Sequence, residues 1–157
     1  MLYNSLILPY MSYCNLTWGN ATTSKLQKLI TLQKKIIRVI TGTAPRCHVD
    51  HLFKQFNILK FTDINKHQQS IFMYRCTNNL FPDEFCNLFQ LNSAIHKYET
   101  RHANYIHLPK HRTLLFQHNI RYSGPKLWNI IPDTIKYSIS LASFSRRMKK
   151  YLTSSYK

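Results

Sequence analysis

The residues that could do chemistry in this chain are few, and their spacing decides what they can do. Six carboxylates occur: Asp50, Asp63, Asp83, Glu84, Glu99 and Asp133. Two-metal phosphoryl chemistry needs several acids converging on one site. Only Asp83 and Glu84 adjoin, just after Pro82, where a helix N-terminus favours negative charge. G-x-x-x-x-G-K-[ST], G-x-G-x-x-G and G-x-S-x-G do not occur. Eight His and four Cys raise the question of a metal. Cys47-His48-x-x-His51 can put Cys47 and His51 on one helical face, and His102, His107 and His111 can gather in a loop. Structural zinc wants four ligands in tight pairs, often C-x-x-C. Cys14, Cys47, Cys76 and Cys86 are too far apart for that, so solvated or phosphate-facing His is the better reading. The sequence therefore predicts no catalysis, no metal and no cofactor.

The cations are the opposite case. Lys and Arg number 22 against 6 acids, for a formal charge of +16. They recur in three places: Lys25, Lys28, Lys34, Lys35 and Arg38; Lys97, Arg101 and Arg112; and Arg146, Arg147, Lys149 and Lys150. A charge run is usually a solvated face, but here there is little acid to offset it. Nucleic acid is the expected partner, because each neutralised phosphate releases condensed cations. Tyr98, Tyr105 and Tyr122 interleave with this charge, and such rings can stack on unpaired bases. They can equally fill a core. An anionic membrane surface is the rival partner, and no run approaches the ~18 apolar residues of a span. Met1 to Tyr10 lacks a basic n-region and a cleavage site, so no signal peptide is read. The expected location is nuclear or cytoplasmic, with reduced thiols and a disulfide pair as the alternative.

The elements that must position these residues read as mainly α: a small helical bundle, a polar His-rich loop and further short helices, with room for one short strand pair. The length, 157 residues, fits one domain or two small units, and 44% apolar content can build a core. Texture divides the chain into a helical unit, 1–90, and a basic extension, 91–157. Leu2 to Tyr13 reads as a buried helix interrupted near Pro9. A helix from Ser24 to Thr41 is expected, with Ser24 and Gln27 as a capping box and Gly42 as its stop. Leu26, Leu29, Ile30, Ile36, Ile37 and Ile40 share one arc of it, with the cations outside. Further helices are predicted over Asp50–Phe56, over Asp63–Asn78 capped by Thr62, and over Asp83–Phe89. A loop follows over Gln90–His111, then a strand over Thr113–Tyr122. Helices are expected again over Pro125–Ile131, with Pro125 first, and over Ser140–Leu152, with Phe144, Met148 and Leu152 inward.

Leu2-Tyr-Asn-Ser-Leu-Ile-Leu-Pro-Tyr-Met-Ser-Tyr-Cys-Asn-Leu-Thr-Trp-Gly-Asn20 resembles the segment just beyond the polymerase core in reverse transcriptases of non-LTR retrotransposons of the jockey and CR1 type. The likeness continues through Leu26-Gln-Lys-Leu-Ile30, Leu32-Gln-Lys-Lys-Ile-Ile-Arg-Val-Ile40, Leu52-Phe53, Ile58-Leu59, Phe72-Met-Tyr74, Tyr98-Glu-Thr-Arg101 and Gly124-Pro-Lys-Leu-Trp-Asn129. It covers nearly the whole chain, and its specificity lies in the combination. The resemblance implies a helical thumb plus a C-terminal extension that grips template RNA or an RNA–DNA or DNA duplex beside a catalytic palm. The basic helix Lys25–Arg38 is where that grip would lie. The palm's aromatic-Ala-Asp-Asp signature is missing, and no Asp-Asp pair occurs, so polymerisation does not carry over. The expectation is a non-catalytic fragment of a mobile-element RNA-directed DNA polymerase. The alternatives are a protein-interaction or structural remnant without nucleic-acid binding, and, further behind, a zinc-dependent module.

Overall fold

The computed structural model describes residues 2–95 and 101–156. The protein is mainly helical, as the sequence predicts, and its helices fall into two compact units. The first holds residues 1–68 and 146–157, the second 69–145, a different division from the textural one at 90/91.

The first unit begins with a π-helical turn, Tyr3–Ile7, that runs into α1, Leu8–Ser12, with Pro9 in its first turn, where a missing N–H costs nothing. This segment is not the buried helix the sequence suggests. Tyr3 and Met11 point inward, while Leu2, Leu6, Tyr10 and Tyr13 are exposed. Next come α2, Asn15–Trp18, and the long α3, Thr23–Thr41. The expected capping box does not form. The Thr22 carbonyl opens α3 by accepting from the Lys25 and Leu26 N–H groups, with no side-chain cap. Gly42 ends it at φ 65°, the left-handed turn that favours glycine. Then follow α4, Asp50–Gln55, and α5, Phe61–Thr77. Thr62 thus lies inside α5 rather than capping it. Tyr3, Ile37, Val49, Leu52, Phe53, Ile58 and Tyr156 form one core cluster.

A buried amide ties this core together. Gln33 lies on α3's inward face and is 1% exposed. Its Nε2 donates to the Tyr3 hydroxyl at 2.7 Å and the Leu59 carbonyl at 2.9 Å, and its Oε1 accepts from Phe61 N–H at 2.8 Å. The loop before α5 cannot satisfy its own backbone there, so the amide does it. A second pin is asparagine on asparagine. Asn15 Nδ2 donates to the Met11 carbonyl, and Asn65 Nδ2 donates to Asn15 Oδ1 at 2.8 Å. A Cβ at Gly19 would overlap Asn65 Nδ2 and the Asn15 carbonyl, so this close approach needs glycine.

The second unit takes the rest of α5 with α6, Asp83–Cys86; α7, Asn92–Ile95; α8, Leu114–Gln117; α9, Ile120–Ile130; α10, Asp133–Lys136; and the start of α11, Leu141–Ser154. The strand expected over Thr113–Tyr122 is instead α8 and the opening of α9. Two side-chain caps start them: Thr113 Oγ1 accepts from Phe116 N–H, and Asn119 Oδ1 from Arg121 N–H. Asn119 also starts α9 well before Pro125, which therefore lies inside the helix rather than at its first position. In the expected loop, Leu91 and Ile106 form an isolated antiparallel bridge. Asn129 holds both polar groups of Ile106, accepting from its N–H at 3.0 Å and donating to its carbonyl at 2.9 Å. Tyr74 stacks on Phe144 at 4.4 Å and donates to the Ser138 carbonyl at 2.7 Å, while Trp128 packs on Phe144 at 5.8 Å. Phe144 and Met148 are wholly buried, as their spacing predicts.

Candidate nucleic-acid interface

The cations are best judged after the acids have taken their partners. Asp50 holds Lys60 at 2.8 Å and Lys34 at 3.8 Å, Asp63 holds Lys66 at 2.9 Å, and Asp133 holds Lys136 at 3.1 Å. Asp83 and Glu84 occupy the first turn of α6, as expected. The Lys60 hydrogen bond, opposed by some burial, keeps the Asp50 carboxyl below its usual range.

On α3, Lys25, Lys28 and Lys35 are exposed and make no ion pair among the described residues. Lys34 is drawn towards Asp50, and Arg38 is half-buried, its Nε donating to the Cys47 carbonyl at 3.1 Å. The expected cluster is therefore graded: three free ammonium groups, one shared, and one guanidinium that fastens the 43–49 loop. On α11, Arg146 and Lys150 lie one turn apart and exposed, on the side away from Met148 and Leu152. Arg147 is exposed as well. Lys149 differs: it lines a cavity of about 160 Å³ with Tyr3, Leu8 and Ile64, and burial pushes its ammonium pKa down. The first and third clusters fall in the same compact unit, while Arg101 and Arg112 belong to the other.

Lys97 and Tyr98 lie outside the described residues. Arg101 is exposed and lines a polar cavity of about 380 Å³ with Asn78, Asn104, Tyr105, Asn129 and Tyr137. Arg112 is exposed. Each interleaved tyrosine in view already has neighbours. Tyr105 lies 4.6 Å from His102 with the Lys136 ammonium 5.9 Å from its ring, and Tyr122 lies 4.5 Å from His111.

Cys47, His48 and His51 are exposed, and no three His, Cys, Asp or Glu gather among the described residues in a way that could hold a metal ion. None of the described helices is long and apolar enough to cross a membrane.

Two features escape the sequence reading. Lys60, in none of the three clusters, is held by several neighbours, since besides Asp50 it lies 4.8 Å from the Tyr156 ring. Leu32 and Val39 lie among the lysines of α3 and are 49% and 82% exposed, so that face is mixed rather than purely basic. The helical wheel carried this signal, because both fall outside the arc of Leu26 and Ile37.

Comparison of the chain with family models, with curated proteins and with solved structures finds no match.

Proposed function

We propose that this chain is a non-catalytic nucleic-acid-binding module that grips RNA or a duplex through basic helices, as the resemblance to the post-palm region of non-LTR reverse transcriptases implies. The observation that carries the reading is the state of the α3 lysines. Lys25, Lys28 and Lys35 stand exposed without ion pairs among the described residues, while three carboxylates are engaged by other lysines. A chain of net charge +16 gains most by trading condensed counterions on a phosphate backbone for its own ammonium groups. Arg146 and Lys150 supply a second basic helix within the same unit.

In this reading the tyrosines are secondary, because a ring with histidine or lysine already beside it has less free face for a base. The module would work inside the cell, nuclear or cytoplasmic, beside a polymerase palm or apart from it.

The test is binding of the whole chain to an RNA–DNA heteroduplex and to single-stranded RNA at low salt, followed by fluorescence anisotropy. Lys25→Gln/Lys28→Gln should weaken both at least about ten-fold, without sequence preference. Absence of binding to either probe, or an unchanged affinity in the double variant, would overturn the proposal.

A further inference from the structure

The wall of α3 next to those lysines is built for something other than phosphate. Leu2, Leu6 and Ile7 of the N-terminal segment face Leu32, Ile36, Val39 and Ile40 of α3 across a concave cavity of about 390 Å³, and among the described residues the one charged side chain in its lining is Lys35. Leu2 is 67% exposed, Leu6 57% and Val39 82%. Scattered apolar residues need no explanation, but a contiguous concave set marks an interaction site.

Three observations say what covers it. First, the groove lies between helical walls, and α3 presents Leu32, Ile36, Val39 and Ile40 at helical spacing. That is how a groove accepts the apolar stripe of another helix. Second, the charge beside it has one sign. No acidic residue occurs before Asp50, whereas Lys28 and Lys35 interleave with Leu32 and Val39 along the same stripe. The N-terminal wall carries no ionisable side chain other than tyrosine and cysteine before Lys25. The cations therefore flank one side of the groove. Third, a second copy is a poor occupant, because it would bring +16 onto +16 with no acid nearby to compensate.

We infer that this groove docks an amphipathic helix of a partner protein, apolar on the face it buries and acidic along the flank that meets α3. Lys28 and Lys35 are seven residues apart, about 10 Å along the helix. Carboxylates spaced one heptad apart on the partner match them.

The probe is a labelled helical peptide of about six turns with leucines at heptad spacing and glutamates on the flanks. A second peptide carries lysines in place of the glutamates. Both are titrated by anisotropy against the whole chain at about 0.15 M salt, where the Debye length is near 8 Å. The glutamate peptide should bind saturably and the lysine peptide at least about ten-fold more weakly. Leu6→Ser/Leu32→Ser/Val39→Ser keeps every charge and should weaken the glutamate peptide at least about ten-fold. Val39→Glu, a single change at an exposed site, should do the same by repulsion. Four results would overturn the inference: no saturable binding; equal binding by native chain and triple-serine variant, which is plain charge attraction; a native dimer that the variant abolishes; or anionic vesicles that retain the native chain and not the variant.

Discussion

Replacing Gln33 by leucine puts an apolar side chain of broadly similar size in its place and removes every hydrogen bond it makes. Phe61 N–H and the Leu59 carbonyl are both buried and would lose their amide partner. The Tyr3 hydroxyl would keep only its weak bond to the Met11 sulfur, 3.6 Å away. A buried backbone group left unsatisfied costs about 1–3 kcal/mol, so two of them set the expected loss near 4 kcal/mol. That is a large part of the roughly 5–15 kcal/mol that holds a typical domain. The two tryptophans allow the affected unit to be watched by itself. In a Trp128→Phe background the remaining reporter is Trp18, stacked on Phe61 at 5.7 Å beside the lesion. Urea titration followed by Trp18 fluorescence should show the midpoint falling with the slope unchanged. Gln33→Glu should be as damaging at neutral pH, where a carboxylate cannot donate to Leu59, and should recover as acid protonates it. A loss below about 1 kcal/mol in Gln33→Leu would refute the idea that this amide organises the unit.

Gly19→Ala should cost about 1–3 kcal/mol by overpacking against Asn65 and the Asn15 backbone, read in the same titration. Tyr156→Phe should cost about 1.5–3 kcal/mol, because its hydroxyl donates to Asp63 at 2.7 Å and accepts from Lys60 N–H. Stability should also depend on pH at both ends. The lowered Asp50 pKa adds stability above its ordinary value, lost as pH falls through the folded-state value; Lys60→Met should blunt that acid sensitivity. Burial raises the Tyr156 pKa, so its contribution is full below the ordinary tyrosine value and disappears as pH rises beyond it; Tyr156→Phe should flatten the alkaline limb.

The amphipathic helices were legible in part from period: Leu26 and Ile37 on α3, and Phe144, Met148 and Leu152 on α11, lie where a helical repeat puts them, whereas Ile40, expected on the α3 core arc, is exposed. The start of α5 was expected two residues late, because the helix opens on the Lys60 carbonyl, which accepts from the Asp63 and Ile64 N–H groups, and not on the Thr62 side chain. Thr113 to Tyr122 misled for a different reason. Its helices begin from the side chains of Thr113 and Asn119, a local bond that periodicity does not see.

The pieces that carry the family resemblance turn out to do structural work. Asn15 is buried against Asn65, and Trp18 donates to the Tyr13 carbonyl while stacking on Phe61. Gly124 lies close to the Met73 sulfur, and Asn129 clamps Ile106. Gln33, read only as part of a Leu-Gln-Lys run, is the clearest case: a polar residue between lysines reads as surface, and its inward register shows only once Tyr3, Leu59 and Phe61 surround it. The candidate interface was legible as charge and not as shape. Sequence counts Lys34, Arg38 and Lys149 equally with Lys25, and only the fold distinguishes cations engaged by neighbours from cations left in water.

The slope of log affinity against log salt for a DNA duplex tests the phosphate grip most directly. Each neutralised phosphate contributes about −0.9 to it, so the three unpaired α3 lysines with the α11 cations predict a slope of roughly −3 or steeper, reduced by about two units in Lys25→Gln/Lys28→Gln. A slope near zero, or one that the double variant leaves unchanged, would contradict the account.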